Sequence, residues 1–204
     1  MLRFVTIAIA FFTFLLAPQN QANAGSFIGE EVIYTTAFCR HRPPNDAIYL
    51  EFRARTDDEF GHSYIVLQFV DKDGKSQCTS VFGFEPAAGV PSGIFTLLGV
   101  PGSIGYTNDD LTVKAFERYG VRIERQTYRN IVRAVEGMRR SWTVYQLLFV
   151  NCNAFAGEIA GLAGLQVPMD TAALPVDYIR QLRELNSDRR LRSAKVFRPG
   201  QFLN

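Results

Sequence analysis

The sequence predicts an α+β domain in which an antiparallel sheet packs against separate helices. The β-branched and aromatic segment Tyr64–Val70 is followed by a turn signal at residues 71–74 and by a second strand pattern, Gln77–Phe84. Apolar residues at helical spacing come later, in residues 128–138 and 152–163. Strands and helices that are grouped along the chain, rather than alternating, are typical of this class.

Further strands are predicted on both sides of this hairpin. Glu31–Ala37 and Ala47–Ala54 precede it, and both have strand-like composition. Pro86–Gly105 is rich in proline and glycine, which predicts a long surface loop. Two further strands are predicted at Leu111–Phe116 and Gly120–Arg125.

Three helices complete the prediction. The first has Thr127 as its expected N-cap. The second begins near Asn151 and ends before Gly164, and Pro168 prevents its continuation. The third covers Val176–Leu185.

The N-terminus has the three regions of a secretory signal peptide. Arg3 supplies a positive charge, residues 4–17 are uncharged and apolar, and Ala22-Asn23-Ala24 is a small-x-small cleavage pattern. A membrane anchor is the weaker interpretation, because a span needs about 20 apolar residues. We therefore expect a signal peptide over residues 1–24, export to the periplasm or the extracellular space, and a single domain over 25–204 without a transmembrane segment.

Charge and composition give no reason to expect nucleic acid or a cofactor. The chain has 22 Lys and Arg against 20 Asp and Glu, a formal net charge of +2. Local basic stretches near residues 129–140 and 189–192 are expected to be solvated helix faces. The histidines and cysteines lack CxxC or HExxH spacing, and no P-loop or dinucleotide-binding fingerprint is present, so neither a metal nor a cofactor is predicted.

Three cysteines raise the question of pairing. Exported proteins meet oxidising conditions, so two of the three can form a disulfide. Cys39 and Cys78 both lie in the strand-and-loop half of the chain, and their pairing would leave Cys152 free. Spacing alone does not fix this pairing, and three reduced thiols are the alternative.

Cys152 is a candidate nucleophile because it stands at the start of a predicted helix. Unpaired N–H groups and the positive end of the helix dipole favour a thiolate there. A cysteine on an apolar stripe is nevertheless more often a core residue, so the interpretation requires a base. His41 lies in a loop between two arginines, whereas His62 opens a strand, which fixes the direction of a side chain better.

Two segments, "GHSYIVLQFVDKDGK…VFGFEP" and "YQLLFVNCNAFAGEIAGLAGLQVP", together resemble the circularly permuted papain-like families related to NlpC/P60. In those families a Gly-His strand precedes a cysteine at a helix start, and the similarity covers roughly residues 60–170. The resemblance implies a permuted papain-like fold with Cys152 as nucleophile and His62 as its base. It implies either amidase or peptidase activity on cell-wall peptides, or acyl hydrolase or acyltransferase activity on lipids.

A third group is expected to orient the imidazole. If Asp73-Gly74 forms a two-residue turn, Glu85 lies opposite His62, which makes Glu85 the candidate. A register slipped by two residues would instead place Gly83 there, and glycine has no side chain to offer.

Four residues near Cys152 are candidates for an oxyanion hole or for an orienting role. Gln146 has the spacing of the oxyanion-hole glutamine in papain-like enzymes, and Tyr145 fits the permuted pattern that the resemblance suggests. Asn151 and Asn153 flank the nucleophile and could cap the helix or orient a partner. The backbone N–H of Cys152 is the remaining oxyanion donor.

The expected function is therefore that of an exported cysteine amidase or peptidase, acting on cell-wall or other periplasmic peptides through a thioester on Cys152. The alternative enzyme acts on lipid acyl groups, and it is favoured if residues 86–105 form an exposed apolar lip. A binding module without activity is the third hypothesis. It predicts that Cys152 is buried away from His62 or is held in a disulfide.

Overall fold

The computed structural model describes residues 34–35, 38–39, 46–56, 60–90 and 93–187. The predicted signal peptide with its cleavage point lies outside the described residues, as do His41 and the basic stretch 189–192. The predicted strand Glu31–Ala37 is described as strand only at Tyr34–Thr35.

The described residues form an α+β structure, as predicted. Its strands are β1 (Tyr34–Thr35), β2 (Ala47–Arg55), β3 (His62–Val70), β4 (Ser76–Pro86), β5 (Val100–Gly105), β6 (Glu117–Ile123) and β7 (Val144–Tyr145). Its helices are α1 (Asn108–Thr112), α2 (Arg125–Ser141), α3 (Cys152–Leu162) and α4 (Pro175–Leu185), with a short 3₁₀ helix at Gly93–Leu97. The strand order is β6-β2-β3-β4-β5-β7 with antiparallel neighbours, and β1 pairs with β4 in parallel.

Strand β3 lies at the centre of the molecule, and all nine of its residues are buried. Successive side chains of a strand point to opposite faces of the sheet. Ile65 and Leu67 therefore belong to the main core with helices α2, α3 and α4, whereas Tyr64 and Val66 form a smaller cluster with Leu111 on the other face. Because both faces are covered, polar side chains at the ends of this strand are also buried.

The β3–β4 hairpin has the register that the sequence predicts, although its turn is larger. Residues 64–69 pair with residues 78–83 as expected. The turn is closed by the N–H of Asp71, which donates to the carbonyl of Lys75 at 3.0 Å, instead of by two residues. A bulge directly after Phe69 compensates for the longer turn.

Two sequence predictions between the hairpin and α2 are wrong. The expected loop over residues 86–105 contains the 3₁₀ helix and strand β5. The expected strand Leu111–Phe116 is replaced by the end of α1 and an irregular segment. The cause is a capping box, in which the side chains of Thr107 and Asp110 each accept the other's backbone N–H and start a helical turn.

The three longer helices follow the prediction with one shift. Helix α2 begins at Arg125 rather than after Thr127, because β6 ends only two residues earlier and Glu124 serves as the extended N-cap. Helix α3 begins as expected, with the Asn151 side chain accepting the N–H of Ala154 at 2.9 Å. Within the described residues, the structure has no helix with the length and apolar character that crossing a membrane requires.

Cys39 and Cys78 form a disulfide with a Cα–Cα distance of 6.1 Å, which is the pairing that the sequence favours. The bridge attaches the segment after β1 to strand β4. Cys152 remains a free, buried thiol.

Candidate active site

Cys152 and His62 meet at the junction of helix α3 and strand β3. Each is the first residue of its element, and the thiol and the imidazole lie close enough for each to shift the pKa of the other. Cys152 is 4% exposed and His62 is 5% exposed, so the pair lies almost completely out of water. Neither feature that the inactive binding module predicts is present, because the thiol contacts the histidine and is not in a disulfide.

Local backbone features fix both side chains. Gly61 has a φ of 72°, and any β-carbon there would lie 2.7 Å from the carbonyl of Arg55, so glycine is required directly before His62. On the other side, the Asn151 side chain caps the first turn of α3, at which Cys152 is the first residue. The Gly-His and Asn-Cys dipeptides thus each join a positioning residue to a reactive one.

The electrostatics of the pair favour a thiolate beside an imidazolium. Burial alone would raise the pKa of Cys152, but the hydrogen bond and the charge of His62 outweigh it and lower the pKa of the thiol. Burial likewise disfavours the charged imidazole, yet the hydrogen bond and charge of Cys152 raise the pKa of His62 to about 9. Each group therefore stabilises the reactive form of the other.

A hydrogen bond between the neighbouring residues links the two elements. The hydroxyl of Ser63 donates to the side-chain oxygen of Asn153 at 2.9 Å, one residue beyond His62 and one beyond Cys152. The amide of Asn153 donates to the carbonyls of Thr171 and Ala173. Asn153 is therefore an orienting residue for the helix rather than a donor with free hydrogens for an oxyanion.

Two carboxylates lie on the side of His62 away from α3. The imidazole Nε2 is 3.9 Å from Oδ1 of Asp110, and an oxygen of Glu85 lies within 4.8 Å of both groups. Nε2 is buried and has no hydrogen-bond partner among the described residues. Both negative charges raise the pKa of His62, so the expected Glu85 is present and a second acid accompanies it.

Asp110 is the functional residue that the sequence analysis missed. It is 2% exposed, and its carboxylate accepts from Nε of Arg55 at 2.9 Å and from the N–H of Thr107 at 2.8 Å. These two bonds fix the carboxylate at the imidazole. The pattern Thr107-x-x-Asp110 is a capping-box signal that would have placed a helix start here, and with it a buried acid.

Gly83 forms the floor of the imidazole site. A β-carbon at this position would lie 2.3 Å from Nε2 of His62, which is far inside van der Waals contact. Gly83 pairs with Tyr64, so it lies diagonally to His62 across the two strands. The glycine thus leaves the space that the imidazole occupies.

His62, Glu85 and Asp110 are also the types of ligand that bind divalent cations. The guanidinium of Arg55 already binds the Asp110 oxygen that faces the imidazole. This buried positive charge would oppose a cation at the same oxygen. The arrangement therefore fits an acid that orients an imidazole better than it fits a metal centre.

The remaining sequence candidates support the loop before Cys152. The Gln146 side chain donates to the carbonyl of Leu97 and accepts from the backbone of Leu148 and Phe149, which occupies it in loop closure. Tyr145 is buried with its ring 5.4 Å from that of Phe84. We assign neither side chain to an oxyanion site.

An exposed apolar surface borders the site, and we call it the apolar patch. It consists of two segments, 94–98 and 144–150, that are joined by strand pairing of β5 with β7 and by the N–H of Leu147 donating to the carbonyl of Thr96. Its members are large apolar side chains that are at least one-third exposed: Ile94, Phe95, Leu97, Leu98, Val144, Leu148, Phe149 and Val150. The second segment ends two residues before Cys152.

Comparison with known proteins adds no relative: no protein-family model, curated protein or solved structure matches this chain. The function is therefore inferred from the geometry of the site.

Proposed function

We propose that the protein is an exported cysteine-dependent hydrolase with a permuted papain-like arrangement, which cleaves an amide in a cell-wall or other periplasmic peptide. The observation that carries the proposal is that Cys152 and His62, 90 residues apart in the chain, lie together in a buried site at the ends of α3 and β3. Each shifts the pKa of the other towards the thiolate–imidazolium pair, which is typical of a catalytic cysteine. Two carboxylates and a helix N-terminus complete the same site.

The reaction would proceed in two steps through a thioester. The Cys152 thiolate attacks the amide carbon, and the helix N-terminus, including the Cys152 N–H, stabilises the oxyanion. The imidazolium of His62 then gives its proton to the amine as the carbon–nitrogen bond breaks. In the second step neutral His62 removes a proton from water, which attacks the thioester and releases the acid and the thiolate.

The test uses the purified chain and a digest of cell-wall peptides analysed by mass spectrometry. We expect new free carboxylates with the parent protein and none with Cys152→Ala. A cysteine-directed electrophile should label only Cys152. Absence of both labelling and cleavage would contradict the proposal.

The apolar patch favours a second candidate, hydrolysis or transfer of a lipid acyl group through the same thioester. Ile94 is 71% exposed and Leu98 is 88% exposed, so the apolar lip that this alternative requires is present. The candidates are separated by offering phospholipid and peptide substrates to the same preparation. Release of fatty acid that depends on Cys152 would support the lipid reaction.

A further inference from the structure

The apolar patch lacks the charged residues that usually keep a protein surface in water. Neither residues 86–108 nor residues 141–157 contain Asp, Glu, Lys, Arg or His. Leu98 is 88% exposed and Phe149 is 72% exposed. Large contiguous apolar surfaces of this kind mark contact with a partner or with a membrane.

The composition of the patch decides between these partners. The residues that contribute most binding energy between folded proteins are enriched in Trp, Tyr and Arg, which combine apolar area with hydrogen-bonding groups. The exposed side chains here are only aliphatic or phenylalanine, and the nearby aromatic Tyr145 is buried. Such side chains suit a hydrocarbon environment that offers no hydrogen bonds.

The chain that leads into the second segment of the patch is basic, which adds electrostatic complementarity to an anionic surface. The nearest charged residues before the second segment are Arg139 and Arg140, in the last turn of α2. Both are exposed. Basic side chains beside an inserted apolar surface strengthen binding to bilayers that contain anionic lipid.

We propose that the apolar patch docks on an anionic lipid bilayer and inserts its leucine and phenylalanine side chains among the acyl chains. Docking would hold the Asn151-Cys152 end of helix α3 at the bilayer surface, because the patch continues into that helix. The inference goes beyond the proposed reaction, since binding needs no chemistry at Cys152. It can therefore hold whether the substrate is a peptide or a lipid.

The test measures co-sedimentation of the full chain with vesicles of phosphatidylcholine and phosphatidylglycerol. We expect the parent protein to bind. The affinity of the double variant Leu98→Asp/Phe149→Asp for the vesicles should be lower by a factor of about ten or more. The matched control is Phe116→Asp, because Phe116 is 70% exposed but lies outside the patch. Cys152→Ala should bind like the parent, which separates docking from catalysis.

Three results would overturn the proposal. The first is absence of vesicle binding by the parent protein, and the second is an equal loss of binding in the Phe116→Asp control. The third is a stable dimer in sedimentation velocity that dissociates in the double variant, because the patch would then be covered by a second copy. Thermal unfolding of the variants verifies that lost binding is not lost folding.

Discussion

The protonation of His62 determines how Cys152 reacts. The pKa of Cys152 is lowered and that of His62 is raised to about 9. The thiolate–imidazolium pair is therefore expected from below the pH at which ordinary thiols ionise up to a pH of about 9. As the pH rises through about 9, the imidazolium loses the proton that the leaving amine requires. Turnover is therefore expected to fall there, while the thiolate itself persists.

The rate of alkylation by iodoacetamide, measured as a function of pH, shows the lower limit of the pH range in which this ion pair exists. We expect Cys152 to react at nearly constant rate well below the pH at which ordinary thiols ionise. His62→Ala removes the group that offsets burial, so its alkylation rate should increase with pH only at or above the range of ordinary thiols, and it should react at least about tenfold more slowly at neutral pH. Identical pH profiles for parent and variant would show that His62 does not activate the thiol.

The two acids beside His62 are expected to contribute unequally. Asp110 is buried and held by Arg55, whereas Glu85 is only partly buried. We expect Asp110→Asn to slow turnover by about 10²-fold and Glu85→Gln by less than tenfold. Removing a negative charge lowers the pKa of His62, so Asp110→Asn should move the high-pH decline of activity to lower pH.

That pH shift shows whether Asp110 acts on the imidazole or only on folding, because a role in folding alone would leave the pH profile of activity unchanged. A larger shift in Glu85→Gln would instead make Glu85 the principal orienting acid, as the sequence alone suggests. Circular dichroism verifies that the buried Arg55 tolerates the asparagine.

At the level of elements, the packing of β4 against β3 can be tested with two paired glycines. Gly83 and Gly105 face each other across β4 and β5. A β-carbon at Gly83 would overlap the imidazole of His62, whereas one at Gly105 would meet nothing within 4 Å. Gly83→Ala should displace the imidazole and give Cys152 the alkylation profile of an ordinary thiol.

Gly105→Ala is the matched control and should keep the parent profile. Overpacking at a buried position costs about 1–3 kcal/mol, so Gly83→Ala is also expected to unfold at lower temperature. Parent-like alkylation in Gly83→Ala would mean that the imidazole does not need this space.

Element patterns explain why the site could be predicted in part. The turn signal at residues 71–74 predicted the hairpin register over residues 64–69 correctly, and a bulge after Phe69 absorbed the error in the size of the turn. The N-cap Asn151 likewise located the start of the helix that carries Cys152. Both signals are local in the sequence.

Asp110 could not be located in the same way, because its role depends on contacts between distant elements. Its partner Arg55 lies 55 residues earlier in the chain. Interpreting residues 111–116 as a strand also concealed the capping box that buries it. Likewise, the requirement for Gly83 appears only once the imidazole is placed above it.

For the whole molecule, the Cys39–Cys78 disulfide and the site are predicted to be independent. Cys78 and Glu85 are separated by seven residues along β4, a distance of about 23 Å in a strand. Replacing both bridge cysteines by serine should lower the free energy of unfolding by about 2–4 kcal/mol, measured in urea. The alkylation profile of Cys152 should not change, and a changed profile would reveal coupling between bridge and site.

The near-complete burial of Cys152 and His62 has a consequence for the fate of an acyl-enzyme. A thioester on Cys152, a residue that is only 4% exposed, receives few collisions from bulk water, so other nucleophiles that share the entry path compete with hydrolysis. We expect added amines or alcohols to capture a large share of the acyl group and to shift the partition ratio from free acid towards transfer product. Burial of the thiol would thus determine which acceptor completes the reaction, and not only how fast the nucleophile attacks.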